Sequence, residues 1–222
     1  NSIISKNIKN AGQFWARYPK FFKSNKRKDI LYITTINSRY INQIRSMADG
    51  EYMLDYFKNQ KEFIENLKKE VYQKLIVRLH PLDFEWDNKL FLKSLFPNLR
   101  ISNKNKKLNN LLKKTSLVIT DYNASTHNES LASGYPTILF WDTNIWPSHE
   151  TSEHYFEQLR EANIFFDSAK DAAIFASRVY GNIDKWWDSP KVVKARNLYC
   201  ERYACIKNKN RKLINLLNVN TK

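Results

Sequence analysis

Six short runs of Ile, Val, Leu, Phe and Tyr recur along the chain, and apolar residues at helical spacing lie between them. The runs are DILYITTI (29–36), KLIVRLH (74–80), LRIS (99–102), SLVITD (116–121), PTILFWD (136–142) and NIFFD (163–167). Between the first two, YMLDYFKNQKEFIENLKKEV places Met53, Leu54, Phe57, Ile64, Leu67 and Val71 at helical intervals. Strands that alternate with helices need right-handed crossovers and give a parallel sheet covered on both faces. No internal repeat of 20 to 50 residues competes with that pattern.

This predicts an α/β, Rossmann-like three-layer domain over residues 29–183, built on a six-stranded, mainly parallel sheet. Ahead of it, residues 1–28 mix aromatics with lysines without a strong period. They read as a linker or helical segment from an upstream domain. From residue 184 to 222 the pattern is helical, with Pro190 at a helix start after Ser189 in WWDSPKVVKARNLYCERYA and a last apolar turn, LINLL. These helices are expected to pack on the domain.

With 222 residues, 42% of them hydrophobic, the chain buries a substantial core. Lys and Arg number 37 against 22 Asp and Glu, a net charge of +15. That favours anionic partners: nucleic acid, an acidic membrane surface or a phosphate-bearing small molecule. The only two cysteines, Cys200 and Cys205, are five apart in a helical segment, where a disulfide is geometrically disfavoured. No apolar run reaches the roughly 18–20 residues of a membrane span, and the first residues show no signal-peptide core. The expectation is a soluble protein of the reducing cytoplasm.

In open α/β sheets ligands bind outside the carboxyl ends of the strands, at the point where strand order reverses. For the order 3-2-1-4-5-6, the strand exits that converge there are TINSR (35–39), RLHPLD (78–83) and TDYNASTHNE (120–129), the three most polar in the chain. They carry Asn37 and Ser38; Arg78, His80 and Pro81; and Asp121, Asn123, Ser125, Thr126, His127 and Glu129. Thr126 and Glu129 have capping-box spacing, Ser125 or Thr126 suits an N-cap, and Gly134 suits a left-handed C′ position. A helix starting near His127 points free N–H groups and a positive dipole end at a phosphate; otherwise Ser, Thr and Glu simply cap it. Arg78, within an apolar strand, needs an anionic partner, either Asp83, Asp121 or a ligand phosphate.

Other chemistries lack their signatures. The four histidines, His80, His127, His149 and His154, make no metal-ligand pair, so no metal is expected. There is no Walker A sequence, no GxGxxG and no GxSxG elbow.

"RLHP" at a strand exit, followed by "LVITDYNASTHNESLASGYPTILF", resembles the C-terminal, donor-binding half of GT-B glycosyltransferases and related transferases. The similarity covers roughly residues 29 to 206. It is strongest to HP-motif enzymes that use CMP-sugars, such as sialyltransferase-like and Kdo-transferase-like proteins, and to CDP-glycerol glycerophosphotransferases and transferases of bacterial surface-carbohydrate clusters. The resemblance implies a nucleotide-sugar donor as substrate, no cofactor or metal, a glycan or lipid-linked acceptor and an N-terminal domain supplying the acceptor site. It makes His80 the catalytic candidate and, with Pro81, a phosphate contact. Ser125 and Thr126 match its phosphate-holding motif and Glu129 its ribose-binding acid, while His127 has no fixed role. Asn37, Ser38, Asp121, Trp141 and Asp142 are candidates for a sugar pocket, with core packing as the other account of Trp141. The basic surface suits contact with an acidic inner membrane face. The competing class is a non-catalytic module for RNA or another anionic polymer, suggested by KNKKLNNLLKK and IKNKNRK. Nucleic acid is the less favoured partner, because these lysines lie away from the polar strand exits.

Overall fold

The structure, a computed structural model, describes residues 19–24, 26–39 and 50–204. Six parallel strands form one sheet in the order β3-β2-β1-β4-β5-β6. They are β1 (Asp29–Ile33), β2 (Leu75–Arg78), β3 (Arg100–Ile101), β4 (Thr115–Thr120), β5 (Thr137–Phe140) and β6 (Phe165–Phe166). Every predicted run supplies a strand. All but β4, which is shifted by one residue, are shorter than their runs, because the last residues leave the ladder to form the loops at the carboxyl edge.

The connecting helices are α1 (Glu51–Glu65), α2 (Lys69–Tyr72), α3 (Asn88–Leu95), α4 (Leu108–Leu112), α5 (Ser125–Ala132), α6 (Glu150–Glu161) and α7 (Ala169–Val179). A short 3-10 turn (Tyr180–Asn182) then leads to α8 (Ile183–Trp187) and α9 (Pro190–Tyr203). Pro190 stands at the first turn of α9, where its missing N–H forfeits no hydrogen bond. Cys205 and LINLL lie outside the described residues.

Because side chains alternate along a strand, Ile30, Tyr32, Val77, Leu117 and Ile119 pack on one face of the sheet. There they meet Phe63 and Ile64 of α1 and Ala172 and Ala176 of α7. Leu31, Ile33 and Val118 pack on the other face with Leu111 and Leu112 of α4. The ring of Phe63 stacks on Phe140 at 4.7 Å and lies 5.1 Å from Tyr32, locking α1 to the sheet centre. The apolar stripe of α1 differs from the sequence expectation at one position. Leu54 is 53% exposed, and the buried face runs through Met53, Tyr56, Phe57, Gln60, Phe63 and Ile64.

Residues 19–24 and 26–28 lie along the domain. The Phe21 N–H donates to the Ser133 carbonyl at 2.8 Å, and the Phe21 ring packs edge-on to Tyr135. Arg27 lies 4.9 Å from the Phe21 ring and donates to the carbonyls of Leu112 and Thr115. Lys23 pairs with Asp188 and Asp184 of the C-terminal helices. At the other end of the chain, α9 packs on α6 and α5 through buried Val192, Ala195 and Tyr199.

Phe63→Ala is expected to lower stability by about 3–5 kcal/mol, whereas Leu54→Ala stays within about 0.5 kcal/mol of the parent. Urea unfolding midpoints at unchanged slope measure both.

Candidate functional site

The strand order reverses between β1 and β4, and Asp121 is the residue that follows β4 there. It is 1% exposed, and its carboxylate accepts from the hydroxyls of Tyr32 at 2.6 Å and Tyr56 at 2.8 Å and from the Gln60 amide at 3.1 Å. Burial raises its pKa to about 7, and the three donors hold it from rising further. Tyr32 and Tyr56 are pushed well above the usual phenol range, by burial first and by the Asp121 charge second. The Tyr56 hydroxyl also accepts from the Thr35 N–H at 2.9 Å, so the network reaches the loop after β1. Asp121 therefore belongs to the scaffold under the site and not to a sugar pocket.

From that loop the contacts continue outward. Asn37 is buried, and its carbonyl accepts from the Trp86 indole at 2.9 Å. Ser38 is half-buried beside it. Arg39 lies over Trp86 and donates to the Glu85 carbonyl. The loop after β2 is thus clamped to the loop after β1. Within it Phe84, Glu85 and Asp87 adopt left-handed φ values of 53°, 66° and 51°. Such conformations cost on the order of 1–3 kcal/mol each for side chains that avoid them, and they persist where surroundings enforce them. Asp83 does so here, accepting from the Asp87 N–H at 2.7 Å and the Asn88 N–H at 3.1 Å.

Beneath this loop is a cavity of about 590 Å³ at the carboxyl ends of β1, β2 and β3. Ile36, Leu79, Pro81, Leu82, Leu90 and Ile101 form apolar walls, and His80, Lys89 and Lys104 bring basic groups. The His80 ring stacks against Phe84, with Nδ1 3.1 Å from the Leu82 carbonyl. Nε2 has no partner among the described residues.

Arg78 is not the buried cation that its apolar neighbours implied. It is half-buried, and Nη1 donates to the Lys106 carbonyl at 2.8 Å. The carboxylates of Asp83 and Asp121 are engaged elsewhere.

The loop after β4 departs further from expectation. Helix α5 begins at Ser125, two residues before the expected start, with Ala124 as N-cap and no side-chain cap from it. Neither Ser125 nor Thr126 caps the helix: Ser125 is exposed at the first position, and the Thr126 hydroxyl is 2.6 Å from Tyr122 Oη. The Gly134 expectation holds, with φ 83° and two hydrogen bonds, Gly134 N–H to Leu131 and Tyr135 N–H to Ser130, closing the helix end. His127 is 1% exposed, 2.9 Å from Tyr199 Oη through Nε2 and 3.4 Å from the Ala124 N–H through Nδ1. Burial lowers its pKa to about 4, against the opposing Tyr122 carbonyl, so it is neutral at pH 7 and ties α5 to α9. This removes His127 as a phosphate donor. Glu129 is buried on the inner side of α5, and Asn123 is half-buried. None of residues 121–129 lines the cavity that holds His80 and Pro81.

Trp141 is core, packed on Phe165 at 4.5 Å and on Phe156. Asp142 shapes the turn after β5, its carboxylate accepting from the Asn144 N–H at 2.8 Å. Trp141 thus follows the core-packing account given for it. Residues that the sequence reading passed over are Tyr32, Tyr56 and Gln60 of the buried network and Lys89 and Asn88 of the cavity, while Lys104, expected with the KNKKLNNLLKK lysines away from the strand exits, lines the cavity beside His80. Gln60 had a signal, a polar residue at the centre of an otherwise apolar helix face. Asn88 had none, because only the left-handed turns before it bring it to the cavity. Among the described residues no cluster of His, Cys, Asp and Glu is placed to hold a metal, and no helix is long and apolar enough to cross a membrane.

The model of the LIC12162 family transferases matches residues 10–217. No curated protein matches the chain. Among solved structures, the chain is similar to the S. aureus MnaA-UDP co-structure at 16% identity and a TM-score of 0.45, over 86% of this chain and 47% of that one. It spans about half the length of that protein.

The buried network makes a pH prediction. Between about pH 3.8 and about pH 7 native Asp121 holds a proton that the unfolded chain releases. Its contribution is therefore full in acid and is lost as pH rises to 7, by on the order of 4 kcal/mol. The stability difference between the parent and Asp121→Asn should shrink across that window, as urea unfolding at about pH 4.5 and about pH 7.5 would show.

Proposed function

The chain belongs to the LIC12162 family of transferases, and we propose that it is the donor-binding part of a glycosyltransferase-like enzyme of bacterial surface-carbohydrate synthesis. Its donor is a nucleotide-activated sugar, CMP- or CDP-linked. The observation that carries this reading is the cavity at the carboxyl ends of β1, β2 and β3. Its volume suits a nucleotide, its apolar walls suit the faces of a base, and His80, Lys89 and Lys104 suit a phosphate. The HP turn within it, followed by TDYNAST and ESLASGYPTI, is the pattern on which the CMP and CDP preference rests.

The chemistry follows from charge. As the bond between sugar and phosphate breaks, negative charge grows on the departing nucleotide phosphate. A donor already aimed at that charge stabilises the transition state more than the bound substrate, by about 3–4 kcal/mol for one well-placed group. His80 is such a donor, oriented by the Leu82 backbone and Phe84, with Nε2 left for the ligand. Ser125 and the uncapped first turn of α5 add donors across the switch point, at the far end of the donor substrate. An N-terminal domain would bring the acceptor, glycan or lipid-linked, and the general base. Exposed lysines would hold the enzyme against an acidic membrane face in the cytoplasm.

A thermal-shift panel of CMP, CDP, UDP, GDP and ADP tests the reading. A nucleotide at 100 times its dissociation constant adds about 2.7 kcal/mol of stability, and CMP or CDP is expected to do so. His80→Ala should weaken CMP about ten-fold, leave cytidine binding unchanged and keep the melting temperature, since His80 is exposed. If no nucleotide shifts the transition while RNA does, with affinity falling steeply in salt, the chain is an anionic-polymer module instead.

A further inference from the structure

We propose that Asp87 holds the ribose hydroxyls of the bound nucleotide, an inference that rests on the nucleotide reading of the cavity at the carboxyl ends of β1, β2 and β3. Two carboxylates line that cavity, Asp83 and Asp87. Asp83 spends both oxygens on the protein, accepting from the N–H groups of Asp87 at 2.7 Å and Asn88 at 3.1 Å. Asp87 spends neither. It is exposed, its side chain makes no cap to α3, and its carboxylate has no hydrogen-bond or ion-pair partner among the described residues.

The backbone explains why that carboxylate is unspent. Asp87 is the N-cap residue of α3. Asp is among the residues best suited to such a position, where an extended backbone lets the side chain accept from the N–H groups of the first turn. Asp87 is left-handed instead, at φ 51° and ψ 37°, and the cap is not made. It follows Phe84 and Glu85, which are left-handed too, and Asp83 fixes its N–H from below the turn. Conformations of this kind persist where the surroundings enforce them, and they gather at sites that hold ligands. A capping residue turned away from its helix into a cavity wall is accounted for by donors that a ligand brings.

The rest of the lining narrows what those donors belong to. His80, Lys89 and Lys104 are basic and suit phosphate, while Leu79, Leu82 and Leu90 offer apolar surface to the faces of a base. An ionised carboxylate only accepts hydrogen bonds and repels a phosphate, so it is fitted to neither of those parts. Between base and phosphate a nucleotide carries its ribose, whose neighbouring 2′ and 3′ hydroxyls are two donors that the two oxygens of one carboxylate accept together. Glu129, matched to the ribose by resemblance, is 6% exposed and lies outside this lining.

Calorimetric titration of the 222-residue chain with CMP, UMP, AMP and GMP, each beside its 2′,3′-dideoxy counterpart, tests the assignment. The parent should bind its preferred nucleotide about ten-fold or more tightly than the dideoxy form. Asp87→Gly, which suits a left-handed backbone, should bring the two within about two-fold by weakening the ribonucleotide alone. Its urea midpoint should not fall, because no protein hydrogen bond is lost. Asp87→Asn, which also tolerates that backbone and keeps one acceptor, should narrow the preference about three-fold. Should Asp87→Gly fail to fold, the preference in Asp87→Asn decides. Equal losses for the two forms, tighter binding by either variant, or a parent indifferent to the hydroxyls overturns the role of Asp87 alone. A parent chain that binds none of the nucleotides overturns this proposal together with the nucleotide reading of the cavity.

Discussion

One buried carboxylate organises everything that faces the switch point. Asp121 joins β4 to β1 through Tyr32 and to α1 through Tyr56 and Gln60, and Tyr56 passes the constraint to the Thr35 N–H. From there the loop after β1 holds Trp86 through the Asn37 carbonyl, and Trp86 sits within the loop that roofs the cavity. A continuous set of contacts thus runs from the core to the cavity at the carboxyl edge. Removing a donor from such a network is costly, because the charge it leaves has no water to turn to.

The same network constrains how the sheet is built. Asp121 follows the strand that pairs with β1 in the register Ile33 to Thr120. A slip of one residue would turn the carboxylate to the opposite face, among Leu31, Ile33 and Val118, where apolar side chains offer no donors. Buried polar groups of this kind contribute less to net stability than to the uniqueness of one arrangement, and here that arrangement is the mouth of the site. On the far side of the switch point neutral His127 has a related part, bridging α5 to Tyr199 of α9. The position of α5 therefore depends on the C-terminal helices as well as on the sheet.

How far the sequence spoke depended on the range of the interaction. Six strands and their parallel pairing were legible, because hydrophobic period and the alternation of strand with helix are local or nearly universal rules. That His80 and Pro81 lie at the exit of β2 was legible, because a strand exit can be located from the strand alone. The surroundings of Arg78, His127 and Asp121 were misjudged, while Trp141 follows its core-packing account, since burial of one side chain is decided by partners tens of residues away. Tyr199, 72 residues after His127, and Tyr32, 89 before Asp121, are such partners.

By itself, then, the sequence determined the alternation of strand and helix, the parallel sheet and the polar strand exits at its carboxyl edge. Each follows from side-chain periodicity and chain chirality. Tertiary structure alone decided which polar residues became scaffold and which stayed available to a ligand. Asp121 and His127 went inward because donors from β1, α1 and α9 met them there. Asn88 came to line the cavity after three left-handed residues, with its backbone N–H held by the Asp83 carboxylate. Those outcomes depend on where separate elements come to rest against one another, and no local pattern of residues encodes that.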